Sequence, residues 1–281
     1  KMKAAMELSR VIAAFCIIDD LLPVMGHRDD PQTKTPSSAI LTLAIVAAMD
    51  FGGNHRKTLA FAKDLRLFSY LPSPSRFNRR LHALKPYLLA LLPLLSRIWK
   101  TLHQVQHYAL DTFPIPVCEN IRAPRSKLAP GLVHRGYIAS KRVYFHGYKL
   151  HLLVDDQRFI HEVGVTPGSF HDLSSLFLLP LDLEEGKELY MDRGYHSYVW
   201  EDVMLEAGLL PRPIRPARSK RYRPWMQYLA IVNRRVVETV GSMLHKLFPR
   251  RIHAVTPEGF ILKLLTFVLA HDLILLTKEA A

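Results

Sequence analysis

Hydrophobic positions fall at helical spacing up to residue 105 and in short β-branched and aromatic runs beyond it. The first region predicts a helix over residues 7–22 and another over 38–51, with Ser37 or Ser38 as its N-cap. Gly52, Gly53 and Asn54 break that run, and helical spacing resumes over 55–70. Pro72, Ser73, Pro74 and Ser75 mark a turn, after which Ser75 can cap a long helix towards His103. Residues 107–117 read as a strand rich in Tyr, Phe, Ile and Val. Strands over 143–155 and 159–166 pair as a hairpin about Asp155, Asp156 and Gln157. Gly168 and Ser169 end that run, and 171–179 reads as a short helix. Further strands are expected at 188–192 and 210–214, and helices at 197–207, 228–247 and 257–276. This order predicts a helical N-terminal region, 1–105, followed by an α/β domain, 106–281, with a mixed sheet flanked by helices.

Composition adds a partner class. Of 281 residues, 49% are hydrophobic, ample for a core, while the formal net charge is +13. A chain that basic points to a polyanion, because its cations repel one another until something neutralises them. The charge is concentrated. Residues 211–251 carry eleven Lys and Arg against one acid, Glu238, and residues 121–151 carry seven against none. Such clustering predicts a groove for a phosphate backbone. Residues 122–149 read as a mobile basic loop that orders on DNA.

Other classes are disfavoured. Cys16 and Cys118 are too far apart to clip a zinc ion and too few for a disulfide framework, so a cytoplasmic protein is expected. The apolar stretches 39–51 and 87–98 fall short of the roughly 20 residues a bilayer requires, and no signal-peptide layout is visible. No membrane partner is expected.

Three carboxylates stand where carboxylates are costly. Asp111 lies inside the apolar run Tyr108-Ala109-Leu110-Asp111-Thr112-Phe113-Pro114-Ile115, and Asp192 closes Leu189-Tyr190-Met191. Glu238 is the lone acid of the most basic segment. A buried carboxylate needs a cation or hydrogen bonds to offset its desolvation. Converging, the three would form an oxygen-rich site for Mg²⁺ or Mn²⁺, suited to phosphodiester chemistry with two ions. Taken singly, each has a bland reading. Asp111 and Asp192 favour turns, and Glu238 can pair with Arg234 four residues before it. His171-Asp172 lacks partner histidines, so Asp172 reads as opening a helix, and the acidic run 182–188 reads as a solvated loop.

The blocks Asp111-Thr112-Phe113-Pro114-Ile115-Pro116, Asp192-Arg193-Gly194-Tyr195 and Arg234-Arg235-Val236-Val237-Glu238-Thr239, spaced by 81 and 46 residues, resemble the acidic blocks of DDE transposases from bacterial insertion sequences. Ser75-Arg76-Phe77-Asn78-Arg79-Arg80-Leu81-His82 resembles the N-terminal part of these proteins. The resemblance implies an RNase H-like catalytic domain, two divalent ions on Asp111, Asp192 and Glu238, and cleavage of element ends followed by transfer of 3′ ends into target DNA. Arg234 and Glu238 match a Tyr-x-x-Arg-x-x-x-Glu-x-x-x-x-x-x-Lys pattern of the family, whereas Ile231 and His245 stand at its Tyr and Lys positions, with Lys246 adjacent.

The expected DNA contacts are Lys141, Arg142, Lys149, Arg193, Arg234 and Lys246, together with Arg76, Arg79 and Arg80 as a helix face that docks on element ends. The expected partner is double-stranded DNA, both terminal repeats and target. A homodimer or larger assembly is expected because paired ends must be held together. A nuclease of the same fold that cuts without joining, and a non-catalytic DNA-binding descendant, compete with this reading.

Overall fold

The computed structural model describes residues 2–279, with side chains from residue 8 to 278 apart from 140. The described residues form two compact units, one of Lys1–Trp99 with Leu244–Ala281 and one of Lys100–Met243.

The first unit is helical, with α1 (Met2–Val24), α2 (Ser37–Asp50), α3 (His55–Asp64), α4 (Pro74–Ala83), most of α5 (Lys85–Leu102) and the late helix α9 (Pro257–Glu279). Helix α2 is buried from Ser37 to Met49. It is apolar on every side because α1, α3, α4 and α9 all pack on it. Its start differs from the expected serine cap. Ser37 already lies in the helix, and Asp29 does the capping, its Oδ2 accepting from the Ser37 N–H at 2.7 Å and its Oδ1 from Ser37 Oγ at 2.6 Å. A carboxylate there also meets the positive end of the helix dipole. Gly52 and Gly53 take φ of +56° and +75°, left-handed values that suit glycine, and α3 leaves the turn at 108° to α2.

Two predicted helices are shorter than their spacing implied. Helix α3 stops at Asp64, where the chain passes through a left-handed Arg66 instead of continuing to residue 70. The expected long helix after Ser75 is α4 and α5, bent by 61° about Leu84, and it is Ser73 that caps α4, accepting from the Arg76 N–H at 3.4 Å.

The grouping of α9 with these helices differs from the expected 106–281 division. Helix α9 is apolar around its circumference, and α2 and α1 supply the surfaces that bury it. Among the described residues, Pro257–Lys278 alone is long and apolar enough, as one unbroken helix, to cross a membrane by length and composition, and 67% of its most apolar window is buried within the protein. Its apolar run is interrupted by Lys263 and Asp272, which is why a reading by continuous runs passes over it.

The second unit is built on a six-stranded mixed sheet: β1 (His107–Cys118), β2 (Arg135–Ile138), β3 (Val143–Asp155), β4 (Ile160–Pro167), β5 (Glu188–Met191) and β6 (Leu210–Pro213). Strand β3 is antiparallel to β1 on one edge and to β2 and β4, placed end to end, on the other. Strands β5 and β6 continue the sheet parallel to β1. With helices α6 (Tyr198–Glu206), α7 (Pro224–Asn233) and α8 (Arg235–Leu247), this is the RNase H-like mixed sheet that the resemblance implied.

The β3–β4 hairpin forms where expected because Asp155 organises its turn. Asp155 Oδ1 accepts from the backbone N–H groups of Gln157 and Phe159, both at 2.9 Å, and Oδ2 lies 3.1 Å from His161 Nε2. One face of the sheet buries Tyr108, Leu110, Leu153, Leu189 and Met191 against Leu176, Leu179, Tyr195 and Met204. Each such side chain contributes about 1.5–3 kcal/mol by leaving water.

Residues 122–149 do not form the expected mobile loop. They contain 3₁₀ turns at Asn120–Arg125 and Leu132–His134, then β2, then the first half of β3. The Tyr148 hydroxyl donates to Leu128 O at 2.6 Å, and His146 Nε2 donates to Ala129 O at 2.7 Å, which ties the excursion to the sheet. The expected single helix over 228–247 is likewise two helices, α7 and α8, that meet at Arg234. The expected helix over 171–179 is a 3₁₀ turn, Asp172–Phe177.

Helix α8 approaches β1 closely at one point. A Cβ added to Gly241 would lie 2.1 Å from Phe113 Cε1. Gly241→Ala should therefore destabilise the protein by about 1–3 kcal/mol, the usual cost of overpacking, visible as a lower melting temperature. Adding Phe113→Leu should restore part of the loss, and an unchanged melting temperature in the single variant would refute this packing account.

Candidate active site

Asp111 owes its position to strand register. Parallel pairing of β1 with β5 runs from His107↔Glu188 to Leu110↔Met191 and stops there. Asp111 on β1 and Asp192 after β5 come next, so they sit side by side at the carboxyl end of the parallel ladder, the side on which open α/β sheets place their ligands, while β1 itself runs on to Cys118. Beyond that point β1 has a free edge, which accommodates Pro114 and Pro116 without losing a ladder hydrogen bond on that side.

The third carboxylate comes from the α7–α8 junction. Arg234 caps α7, and Glu238 lies in the first turn of α8. The Arg234 guanidinium reaches all three acids. Its Nη2 donates to Asp111 Oδ2 at 2.6 Å, and its Nη1 lies 3.6 Å from Asp192 Oδ1 and 3.7 Å from Glu238 Oε1. Arg234 and Asp111 are largely buried, at 11% and 15% side-chain exposure, whereas Asp192 and Glu238 are 44% and 58% exposed. The centre is therefore a pocketed aspartate with two carboxylates at its mouth.

This arrangement balances charge without satisfying every donor. Only the contact to Asp111 is a hydrogen bond in length, and Arg234 Nε is buried with no hydrogen-bond partner. Burial pushes the Asp111 carboxyl up to about 6, with Asp192 adding to the rise, while Arg234 and the Thr112 N–H at 2.8 Å oppose it. As the side chains stand, no group of three His, Cys, Asp or Glu among the described residues is close enough to hold a metal ion. The donor set nevertheless suits a hard divalent cation in chemistry: three carboxylates, all oxygen, converge on one guanidinium that leaves an N–H orphaned.

Behind the carboxylates, on the opposite sheet face, lies a hydrogen-bonded cluster not expected from the sequence. Thr112 Oγ1 is 2.8 Å from His151 Nδ1 and 2.6 Å from the Tyr195 hydroxyl, and His151 Nε2 is 2.8 Å from Thr166 Oγ1. The cluster ties the residue after Asp111 to the residue three beyond Asp192. His151 is fully buried, and burial lowers its pKa to about 4, so the imidazole is neutral at ordinary pH. Thr112 and Tyr195 belong to the blocks that carry the resemblance. His151 left only the signal of a polar residue alternating within an apolar strand.

The remaining expected contacts divide into free and engaged cations. Arg193, Lys141, Arg142, Arg76, Arg79 and Lys246 are exposed. Lys149 is engaged, donating to Asp172 Oδ1 at 2.9 Å and Phe170 O at 2.8 Å, and it stands three residues from Leu152, the partner of Asp111, hence on the other sheet face. Arg80 is engaged within the helical unit, donating to Thr35 O at 2.7 Å beside Asp29. In the basic segment, Arg215 is buried against Glu201, Arg212 pairs with Glu188, and Arg221 pairs with Glu201 and Asp202. Ile231 and His245 are both exposed. As expected, Asp172 opens the turn after His171, whose side chain accepts from the Leu173 N–H.

The fold and the gathered acids define a class, an RNase H-like domain with three carboxylates gathered where the parallel β1–β5 ladder ends and a helix begins. The family model described as Transposase DDE domain matches residues 103–252, and the chain belongs to that family of transposases. Neither the curated proteins nor the solved structures give a significant match.

The titration of Asp111 has a measurable consequence. Its folded pKa, about 6, exceeds the ordinary 3.8, so the unfolded chain gives up this proton first as pH rises. The stability this group contributes is full below pH 3.8 and is lost as pH rises through 6. Asp111→Asn, which cannot ionise, should escape that loss. The melting temperature of the variant relative to the unmodified protein should rise between pH 4 and 6 and then level off, and a difference independent of pH would contradict the assigned burial.

Proposed function

We propose that this transposase cleaves the ends of an insertion sequence and transfers the 3′ ends to target DNA, with Asp111, Asp192 and Glu238 holding two Mg²⁺ or Mn²⁺ ions. The observation that carries the reading is that three carboxylates, from β1, the end of β5 and a helix, meet around a single guanidinium. When bound, divalent ions there supply activation of the attacking water or 3′-hydroxyl and neutralise charge on the leaving oxygen. The chain's own part is to position and compensate. Asp111 provides the fixed oxygen, held by the Thr112 N–H and by the cluster behind it. Asp192 and Glu238, being more exposed, adjust around the substrate. Arg234 leaves the carboxylates and takes a DNA phosphate, so that one cation serves the free protein as counter-ion and the complex as phosphate ligand.

The exposed cations Arg193, Lys141, Arg142 and Lys246 hold the strands in this reading, and Arg76 and Arg79 on α4 meet the element end. The protein acts in the bacterial cytoplasm on double-stranded DNA, as a dimer or larger assembly that keeps two ends together. A nuclease without strand transfer, and a non-catalytic DNA binder, use the same geometry less fully.

Purified protein with Mg²⁺ should both nick terminal-repeat DNA and join its 3′ end to a second duplex. Hydrolysis without joining favours the nuclease. Asp111→Ala should lower cleavage at least about a hundredfold with DNA affinity nearly unchanged, since oriented charge at the reacting phosphate contributes on that scale. DNA binding without metal-dependent cleavage by the unmodified protein would leave the non-catalytic reading. Arg234→Gln separates the roles further. Without DNA it should bind Mn²⁺ about tenfold more tightly or better, because a cation some 4 Å away repels a divalent ion by several kcal/mol even at an effective dielectric near 20. Its cleavage rate should nevertheless fall. Weaker Mn²⁺ binding by this variant, measured by calorimetry, would count against the carboxylates as the ion site.

A further inference from the structure

The excursion between β1 and β3 presents a surface that the carboxylate centre does not use. Tyr137 on β2 and Tyr144 on β3 are directly paired across the ladder, with ring centroids 4.9 Å apart, and both are about half exposed, at 49% and 51%. The Arg135 guanidinium sits 4.5 Å from the centre of the Tyr144 ring. Asn120 Nδ2 donates to Tyr144 O at 2.7 Å, which fixes the strand from the far side of an adjoining cavity. That cavity, of about 720 Å³, is lined by Asn120, Pro124, Leu132, Arg135, Arg142 and Tyr144, among others. Leu132 and Ile121 stand beside it almost fully exposed, at 83% and 87%.

Exposed tyrosines and aliphatic side chains are costly to leave in water unless something covers them. Charge identifies what does. The excursion itself, residues 119–142, holds six Lys and Arg against one acid, Glu119. A second copy of the same surface would meet like charge, and an apolar peptide would leave these cations uncompensated. A nucleic-acid strand answers both features, since its bases stack on aromatic rings and its phosphates take the guanidinium groups. A paired duplex offers phosphates but keeps its base faces stacked, so half-exposed rings beside a guanidinium call for an unpaired base to extend the stack.

We propose that Tyr137 and Tyr144, with Arg135 and the adjoining cavity, form a stacking site for an unpaired nucleotide of the DNA substrate. The inference rests on DNA being the substrate of the carboxylate centre. Tyr144 precedes Leu152, the register partner of Asp111, by eight residues of one continuous strand. An even separation puts both on the same sheet face, roughly 26 Å apart at about 3.3 Å per residue. At about 3.4 Å per nucleotide along a strand, the stacked base lies about eight nucleotides from the scissile phosphate. The site therefore reads a distorted or opened flank of the DNA, away from the bond being cut.

The test uses the full chain in metal-free buffer and fluorescence anisotropy with two labelled duplexes, one fully paired and one with a short unpaired bubble about eight nucleotides from its end. The unmodified protein should bind the bubbled duplex about tenfold more tightly, within the range that base–aromatic stacking provides. The double variant Tyr137→Ala/Tyr144→Ala should lose that preference while its affinity for the paired duplex and its salt dependence stay within about twofold, as stacking carries no charge. Tyr144→Phe should keep the preference, which separates stacking from loss of folded structure. Equal binding of the two duplexes by the unmodified protein, or a preference that survives in the double alanine variant, overturns the proposal. Cleavage with Mg²⁺, read on the same preparations, keeps the two readings apart. Absent cleavage with the bubble preference intact removes the catalytic reading and supports the stacking site. Intact cleavage without the preference removes the stacking site alone.

Discussion

Bringing three carboxylates to one point is the constraint from which the second unit takes its form. Like charges at close range repel, and one of these acids is buried as well, so the arrangement stands only with a cation at its centre. Arg234 is that cation. Its place at the junction of α7 and α8 explains why the predicted continuous helix is broken there. The guanidinium must point at the place where the β1–β5 ladder ends while Glu238, one turn on, reaches the same centre from the helix N-terminus. The helix dipole favours a carboxylate in that first turn, which partly offsets gathering a third negative charge.

The two aspartates need no such junction, because the parallel register of β1 and β5 already sets them side by side. What register leaves open is the orientation of the residues just beyond the ladder, where backbone pairing has ended. The Thr112, His151, Thr166 and Tyr195 cluster supplies it from the opposite face. Each polar atom there is satisfied by another in a region otherwise apolar, and losing one would leave its partners buried and unpaired. The neutral imidazole suits this work, since it offers one donor and one acceptor on opposite sides of the ring.

The sequence made legible what is local or periodic. The strand at 107–117, the hairpin about Asp155 and the three acids follow from alternation, turn chemistry and the cost of a carboxylate in an apolar run. Tertiary decisions were hidden. Ser37 is as good a cap as most, yet Asp29, eight residues earlier, does the capping. Arg215 looks like one more cation of a basic segment, but the acid that neutralises it, Glu201, lies outside that segment on α6. Counting charge along the chain therefore overstated the free positive surface near the carboxylates. Residues 257–276 read correctly as a helix, but periodicity says nothing of which unit covers it, and its grouping with α2 is a property of packing.

Much of the charge of the basic segment is used within the unit, where Arg212, Arg215, Arg221 and Arg234 are all paired, although Arg193 beside Asp192 is exposed. In the excursion before β3, Arg135 leans on an aromatic ring, six cations stand against the single acid Glu119, and Lys141 and Arg142 are exposed. Lys149 is drawn away, by Asp172, to the other sheet face. The same contrast holds for apolar groups, which are buried under the sheet and exposed along the excursion. A surface rich in exposed cations and exposed apolar groups suits association with a polyanion. Because the hydrogen bonds from His146 and Tyr148 fix the excursion to β3, that surface is presented in a set register with Asp111 and not on a wandering loop. In the proposed reading, a DNA strand engaged at both places would be measured against the length of β3.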